Sequence, residues 1–308
     1  MRTCFHALIA FIALGLWAGP ARALEFGSWS PPPEGTEALL LLTGADANFV
    51  KPKGCFKGTG GSLYRPSFGA WLKLDESNPP FAWVSTGNVF SRFEEEGMAP
   101  DATVIDNLQD TGYSAIGVGF DDLERLGLPW TRHAEQLGTL PWLATNLRVL
   151  ETGRSALPAS RRFKLGDREI AILAVTDQAP ARLLGDLDTG TIVTTDPVDA
   201  LHAEMASWKT RPDYVIVLAP VLQGSVRRLA RELEGVDLIV ASSALRAHPE
   251  ADTTERNTVL WIGGWGRFLG RVAFGEGRTP LALDVVEVGT DFPIDPLTGM
   301  PQDSGPTS

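Results

Sequence analysis

Polar side chains follow each of three short apolar runs in the first half of the chain. These side chains are Asp46, Asn48, Asn88, Asp121 and Asp122. The runs have the length of buried strands, and residues just past the carboxyl ends of parallel strands meet at one edge of a sheet. Carboxylate and amide oxygens arranged in this way suit Ca²⁺ or Mg²⁺. The alternative is that Asp46 and Asn88 cap helices or turns, and of the two roles we expect capping.

The strand ends of the second half lack side chains that could hold a transition metal. Pro220 follows the run YVIVLA, and Ser243 and Leu245 follow the run DLIVAS. Proline and leucine offer no side-chain donor, whereas Mn²⁺, Zn²⁺ and Fe²⁺ favour imidazole nitrogen and carboxylate ligands. We therefore expect no cofactor, with a single Ca²⁺ or Mg²⁺, or a weakly held divalent metal, as the alternative.

Three histidines lie beyond residue 23 and are the imidazole donors that remain there. His133 and His202 fall within helical patterns, which is typical of surface histidines. His248 follows a strand end by several residues, so it is the one residue for which a catalytic role is considered. A solvent-exposed loop histidine is the simpler interpretation of His248.

Cys55 lies in a lysine-rich segment, KPKGCFKGTGG. Lys51, Lys53 and Lys57 would favour its thiolate form, which predicts a reactive or ligand-forming thiol. An incidental or buried cysteine is the simpler alternative. Since Cys4 would leave with an N-terminal leader, no second thiol would remain in the chain to form a disulfide with Cys55.

The elements that must position these residues alternate between short apolar runs and amphipathic helical patterns. The runs typical of buried strands are 38–43, 81–85, 114–118, 170–175, 214–218, 238–241 and 258–262. Apolar residues at three- and four-residue spacing predict helices over 101–111, 197–209 and 224–233. The segments RVAFGE and TPLALDVVEV predict a closing antiparallel pair. This alternation predicts an α/β sandwich with helices covering the sheets.

Six segments, taken in chain order, resemble the motifs of one enzyme family. LLLLTGADAN resembles a strand followed by Asp-x-His, FAWVSTGNVF resembles xxxxxGDxF, and DTGYSAIGVGFDD resembles a strand followed by Asn-His-Glu. DYVIVLAP and DLIVASSAL resemble DxVIVLSH and DLIVGGHxH, and WGRFLGR resembles WGxxLGR with Gly270 and Arg271 in place. The chain thus resembles the 5'-nucleotidase and UDP-sugar hydrolase branch of the calcineurin-like metallophosphoesterases.

The resemblance implies an α/β fold, a four-layer αββα sandwich with mixed sheets, and covers the catalytic domain only. It also implies a centre of two divalent metals, bridged by an aspartate and held by histidines, that activates water. The positions that match this metal site are Asp46, Asn48, Asn88, Phe120, Asp121, Pro220, Ser243 and Leu245. Because only Asp46 keeps the residue of the family, we expect a scaffold that has lost its hydrolase chemistry.

The N-terminus and the overall charge indicate where the protein works. Residues 1–23 have the layout of a cleavable secretory signal, with Arg2, an apolar stretch and a cleavage site after Ala23. We expect a periplasmic or secreted chain without a membrane span. The formal net charge of −11 is poorly matched to nucleic acid. The predicted organisation is a signal at 1–23, an extended lead-in at 24–37, the metallophosphoesterase-like domain at 38–290 and a disordered tail at 291–308.

Three functions are compatible with these patterns. The first, which we expect, is an exported and catalytically degenerate protein that binds a small molecule or an exported protein partner as an accessory module. The second is a residual metal-dependent hydrolase of phosphoesters or nucleotides with a rearranged or mononuclear site. The third is a structural subunit of an exported redox assembly, suggested by Cys55 and the nine tryptophans.

Overall fold

The computed structural model defines sixteen strands and six helices. It describes residues 26–27, 29–52, 60–94, 96–127, 134–177, 186–187, 190–243, 250–253, 257–276, 280–289, 292–295 and 298–301. The strands are β1 (Phe26–Gly27), β2 (Ala38–Thr43), β3 (Phe81–Ser85), β4 (Ala115–Gly117), β5 (Trp142–Leu143), β6 (Leu147–Val149), β7 (Ser160–Leu165), β8 (Arg168–Ala174), β9 (Asp186–Leu187), β10 (Gly190–Thr194), β11 (Tyr214–Ala219), β12 (Leu238–Ser243), β13 (Glu250–Thr253), β14 (Thr258–Gly263), β15 (Phe268–Phe274) and β16 (Ala282–Glu287). The helices are α1 (Tyr64–Leu74), α2 (Asp101–Thr111), α3 (Phe120–Leu126), α4 (Ala134–Leu137), α5 (Pro197–Ala206) and α6 (Gln223–Glu232). All seven predicted buried strands and all three predicted helices are confirmed, with ends that shift by up to three residues.

Two mixed sheets form the centre of the fold. Sheet 1 has the strand order β1-β16-β15-β2-β3-β4-β5, and sheet 2 has the order β13-β14-β12-β11-β8-β7. In sheet 1, β2 to β5 are parallel, and the predicted closing pair β15 and β16 is antiparallel. In sheet 2 the four central strands are parallel, and β7 and β13 are antiparallel edge strands. A small third sheet joins β6, β10 and β9.

Alternating side chains of the central strands divide the core into three layers. Leu40 and Leu42 of β2 pack with Ile216 and Leu218 of β11 between the two sheets. Leu41 points away from sheet 2 and packs with α1, α2 and α3. On the far side of sheet 2, strands β11 and β12 pack against α5 and α6. This order of helices, sheet, sheet and helices confirms the predicted four-layer αββα sandwich.

The structure corrects the prediction of a disordered tail that begins at residue 291. Phe292 and Ile294 are buried in the core, 1% and 0% exposed, and Ile294 forms a β-bridge with Pro301. The segment is mostly polar, so its two apolar side chains formed no recognisable pattern. They pack on the aromatic residues around α1, and the ring centres of Phe292 and Tyr64 are 5.0 Å apart. Residues 302–308, like the predicted signal at 1–23, lie outside the described residues.

Helix α1 is the largest element that sequence patterning missed. It contains Pro66 and Gly69, which weaken a helical pattern. Its apolar face is nevertheless well defined, because Tyr64, Phe68 and Leu72 are all buried. The helix carries a buried arginine, Arg65, to the carboxyl end of β2. No described helix is long and apolar enough to cross a membrane.

Candidate functional site

The carboxyl ends of the parallel strands in the two sheets meet at a layer of small hydroxyl side chains. Thr86, just past β3, shares a 2.5 Å hydrogen bond with Ser242 of β12. Gly44, just past β2, packs so closely on Thr86 that a Cβ at position 44 would overlap its Oγ1. A second joint is made by Thr176, whose Oγ1 donates to the Val118 carbonyl at 2.6 Å. These contacts fix the two strand-end regions against each other.

Asp46 forms a buried, two-pronged ion pair with Arg65 of α1. Arg65 Nη1 and Nη2 donate to the two carboxylate oxygens, each at 2.6 Å. The side chains are 0% and 5% exposed for Arg65 and Asp46. Burial by itself would lower the pKa of Arg65, but the Asp46 carboxylate holds that pKa well above its ordinary value. Both oxygens of Asp46 are therefore already bound to a permanent cation.

Hydroxyl groups extend this ion pair to the end of β2. Arg65 Nη1 also donates to Tyr113 Oη at 2.9 Å, and Tyr113 Oη lies 2.9 Å from Thr43 Oγ1. Burial raises the pKa of Tyr113 to about 12, so this phenol is neutral. The network joins α1, the end of β2 and the turn after α2.

Asn48 is held by both ends of its amide. Its Oδ1 accepts a hydrogen bond from the backbone N–H of Ser91 at 2.6 Å. Its Nδ2 donates to the Ala99 carbonyl at 3.2 Å and to Asp101 Oδ1 at 3.0 Å. With 3% exposure, the side chain ties the loop after β2 to the segment that leads into α2. The amide oxygen thus serves as an acceptor inside the protein.

Asn88 and Asp122 join the loop after β3 to the start of α3. Asn88 Oδ1 accepts from the backbone N–H of Asp121 at 3.1 Å. Asp122 is fully buried, and its carboxylate accepts from the backbone N–H groups of Asn88, Phe90 and Gly119 at 2.7, 2.9 and 2.9 Å. Burial raises the pKa of Asp122 to about 7, and the three N–H donors oppose that rise. Both side chains therefore bind backbone N–H groups and stabilise the loops at this site.

Asp121 and Phe120 lie at the more open side of this region, in the first turn of α3. Asp121 Oδ1 is 3.3 Å from Arg92 Nε, and its side chain is 30% exposed. Partial burial raises the pKa of Asp121, and the charge of Arg92 opposes that effect. Arg92 also lies over the ring of Phe120, 5.5 Å from its centroid. Arg92 therefore covers the two residues that correspond to Asn-His of the expected motif.

Backbone strain is concentrated in the same loops. Ala45, Ala47 and Asn48 after β2 have φ values of 53°, 51° and 62°, and Asn88 after β3 has φ of 51°. A non-glycine residue rarely adopts this left-handed conformation, and such residues persist where the surrounding structure holds them in place. The strand-end loops thus keep a demanding backbone shape although their side chains are bound inside the protein.

The second sheet brings few polar side chains to the site. Pro220, at the end of β11, is buried and has no donor. Ser243 ends β12, but its side chain is outside the described part of the structure, as are Leu245, His248, His133 and Cys55. His202 is exposed on α5, in the helical pattern predicted for it. The structure therefore brings together Asp46, Asn48, Asn88, Asp121 and Asp122, and adds Arg65, Thr86, Tyr113 and Ser242.

Solved structures with the same fold include 5'-nucleotidases, a sulfate thiohydrolase and a calcineurin-like phosphoesterase. A 5'-nucleotidase precursor from Thermus thermophilus superimposes with a TM-score of 0.62 and 16% identity, over 86% of this chain and 56% of that one. The sulfate thiohydrolase SoxB of Thermus thermophilus gives a TM-score of 0.65 and 14% identity, over 85% of this chain and 58% of that one. The calcineurin-like phosphoesterase YfkN from Bacillus subtilis gives 0.56 and 14%, over 82% of this chain and 91% of that one. This is the fold of the 5'-nucleotidase branch of the metallophosphoesterases.

The similarity to these structures is in fold, and the sequence comparisons found no match. No protein-family model matches the chain, and no curated protein matches it in sequence. The chain spans little more than half the length of the first two structures, 56% and 58%. The shared fold alone does not assign the activities or substrates of those proteins to this chain.

The two-metal centre implied by this fold does not fit the described residues. Among them, no three His, Cys, Asp or Glu side chains are grouped so that they could hold a metal ion. The Asp46 oxygens are bound to Arg65, and the Asn48 and Asn88 oxygens accept backbone N–H groups. A metal would have to displace these partners, and amide oxygen is a poorer ligand for Zn²⁺ than imidazole nitrogen or thiolate.

The role of Arg65 was not predicted from the sequence. One signal could have revealed it. A lone aspartate after a buried strand, with its neighbouring ligands replaced, needs a new cation, because an unpaired buried charge is costly. Arg65 lies 19 residues away on the next helix. Thr86 and Ser242 carried no signal, since small hydroxyl residues at strand ends are common.

Proposed function

We propose that the chain is an exported, catalytically degenerate metallophosphoesterase-fold protein that acts as a binding or accessory module. One observation carries the proposal: the single retained metal-site residue, Asp46, gives both carboxylate oxygens to the guanidinium of Arg65 at 2.6 Å. Export is supported by the signal layout of residues 1–23.

The energetics of this ion pair favour the loss of metal chemistry. A metal that bound Asp46 would separate the carboxylate from a guanidinium that is 0% exposed. A buried charge deprived of its partner costs about 3–5 kcal/mol. The metal would have to offset that cost with fewer ligands than a dinuclear site uses. Arg65 therefore takes the place of the cation in this scaffold.

Metal titration and enzyme assays together test the proposal. We expect calorimetry of the purified protein with Mn²⁺ and with Ca²⁺ to show no stoichiometric binding. We also expect no turnover of p-nitrophenyl phosphate or of nucleoside monophosphates above a buffer blank in excess Mn²⁺. Tight binding of two Mn²⁺ ions per chain would overturn the proposal.

A residual hydrolase with a mononuclear site around Asp46, Asp121 and His248 is the second candidate. It is favoured by Asp121, whose side chain is 30% exposed beside Arg92. An Asp121→Asn variant separates the two functions, because this partly exposed residue is not needed to brace the core. Turnover that Mn²⁺ stimulates and that Asp121→Asn abolishes would establish the hydrolase.

A further inference from the structure

A groove with a volume of about 740 Å³ lies between the N-terminal lead-in and the end of α1, and it shares no lining residue with the strand-end site. One wall is the lead-in, and the other is the end of α1 with the loop that follows it. Its lining residues are Trp29, Pro31, Pro32, Pro33, Glu34, Gly35, Thr36, Trp71, Leu74, Asp75, Ser77, Asn78 and Pro79. The volume is in the range of clefts that bind ligands or short peptide segments.

Aromatic rings form the base of this groove. The ring of Trp29 meets Phe68 edge-on at 4.8 Å, and Phe68 stacks on Trp71 at 5.6 Å. Both tryptophans are half-buried, so each presents part of its ring to the groove. Leu74, at the end of α1, is 81% exposed, the most exposed large apolar side chain of the described residues. The groove therefore offers apolar contact area that the described part of the chain leaves open.

A buried arginine holds the lead-in in place. Arg271 is 4% exposed, donates from Nη1 to the Ser30 carbonyl at 2.6 Å, and lies 4.9 Å from the centre of the Trp29 ring. Asp284 pairs with its other nitrogens, at 2.5 Å for Nη2. Near the end of the lead-in, the Thr36 hydroxyl donates a 2.6 Å hydrogen bond to the Pro33 carbonyl. Since proline also fixes φ, this wall is formed before any ligand binds.

The charges of the groove select its occupant. Its ionisable lining residues are Glu34 and Asp75, and among the described residues no Lys, Arg or His lines it. The chain as a whole carries a net charge of −11, which disfavours a second copy at an acidic groove. A basic partner is complementary to both. Aromatic grooves of this kind bind extended proline-containing segments, whose conformation is already ordered before binding.

We infer that this groove binds an extended, proline-containing basic segment of a partner protein. Proline or aliphatic side chains would pack on Trp29 and Trp71 beside Leu74, and a Lys or Arg side chain would pair with Glu34 or Asp75. The inference does not depend on the loss of metal chemistry. It assigns a role to Arg271 of the WGRFLGR motif, which the strand-end site does not use.

Designed peptides provide the probe. A fluorescent peptide of four Pro-Pro-Arg repeats is titrated with the full chain and followed by anisotropy, alongside a Pro-Pro-Glu peptide and a Gly-Gly-Arg peptide of equal length. We expect the Pro-Pro-Arg peptide to bind, with affinity that falls as salt is added. The Pro-Pro-Glu peptide lacks the complementary charge, and the Gly-Gly-Arg peptide lacks the preformed conformation, so both should bind at least about tenfold more weakly.

Variants of the wall residues locate the binding. Leu74→Ser and Glu34→Gln should each weaken binding of the Pro-Pro-Arg peptide, by about tenfold for the apolar contact and less for the charge. Leu150→Ser is the matched control, because Leu150 is also exposed, at 60%, and does not line the groove. No binding of the Pro-Pro-Arg peptide, equal binding of the Pro-Pro-Glu peptide, or equal loss in Leu150→Ser would overturn the inference. A dimer in sedimentation that Leu74→Ser dissolves would overturn it in favour of a second copy.

Discussion

The two sheets contribute to the strand-end region in different ways. Sheet 1 keeps polar residues at its loop positions, and each of the buried ones bonds to another part of the protein: Asp46 to Arg65, Asn48 to Ser91, and Asp122 to three backbone N–H groups. Sheet 2 instead ends in Pro220 and in the small residues around Ser242. The polar side chains of the sheet 1 half thus bond within the protein, and the sheet 2 half brings few polar side chains to this region.

The two halves therefore differ in how many buried polar groups need a partner inside the protein. A buried carboxylate is costly to leave unpaired, and Asp46 is paired with the buried guanidinium of Arg65. Residues such as proline and serine make no such demand, and the described contacts of the sheet 2 strand ends with sheet 1 include the hydrogen bond between Ser242 and Thr86 and the one from Thr176 to the Val118 carbonyl. Stability should therefore depend much more on the sheet 1 half.

The largest effect is expected for Arg65. Arg65→Met leaves the Asp46 carboxylate buried without its cation, which should cost about 3–5 kcal/mol of unfolding free energy. Urea denaturation measures the loss. The double variant Asp46→Leu with Arg65→Met should recover much of it, because an apolar pair of similar volume leaves no charge unpaired.

Arg228→Met is the matched control for this experiment. Arg228 likewise forms ion pairs, in its case with Asp196 and Glu232, but its side chain is 41% exposed. Exposed pairs contribute little, so its denaturation midpoint should move far less. Equal losses in Arg65→Met and Arg228→Met would remove the distinction between a buried replacement cation and an ordinary surface ion pair.

Asp122 predicts a pH dependence that belongs to the sheet 1 half. Burial raises the pKa of its carboxyl to about 7, above the value of about 4 in an unfolded chain. The folded protein thus holds this proton to higher pH, and the stabilisation present below about pH 4 is lost as pH rises through about 7.

Denaturation of the wild type and of Asp122→Asn between about pH 5 and pH 8 checks this dependence. The wild type should lose stability as pH rises, and the slope should be shallower in Asp122→Asn, which cannot titrate at this position. The variant should also be less stable at every pH, since an amide has one acceptor oxygen for three N–H donors. Parallel slopes would show that the carboxylate is ionised throughout this range.

The smallest effect is expected where the two sheets meet. Thr86→Val removes one partner of the 2.5 Å bond to Ser242 and leaves a buried hydroxyl unsatisfied. Such a loss costs about 1–3 kcal/mol, and adding Ser242→Ala should return part of it. A double-mutant cycle by urea denaturation gives the coupling energy. A coupling as large as that of Asp46 with Arg65 would mean that both halves support the fold equally.

Much of the fold could be predicted because it depends on local pattern. The strand Ala38–Thr43 and the helix Asp101–Thr111 have the ends that apolar runs and helical spacing predict. Helix α1 was missed because Pro66 and Gly69 obscure its pattern, and the tail because Phe292 and Ile294 stand alone among polar residues. Phe292 packs on Tyr64 and Phe68 of α1, a contact between segments that are distant in sequence.

The sequence by itself determined which donors are present at the strand ends: one aspartate of the expected metal set, and neither an imidazole at Leu245 nor a donor at Pro220. Side-chain identity is a local property, so it can be read without a structure. Only the tertiary structure decided what the remaining polar groups bind. The partner of Asp46 comes from the next helix, and the partner of Ser242 comes from the other sheet. Such pairings depend on how the layers pack, because burial makes each polar group bond to whatever the fold brings beside it.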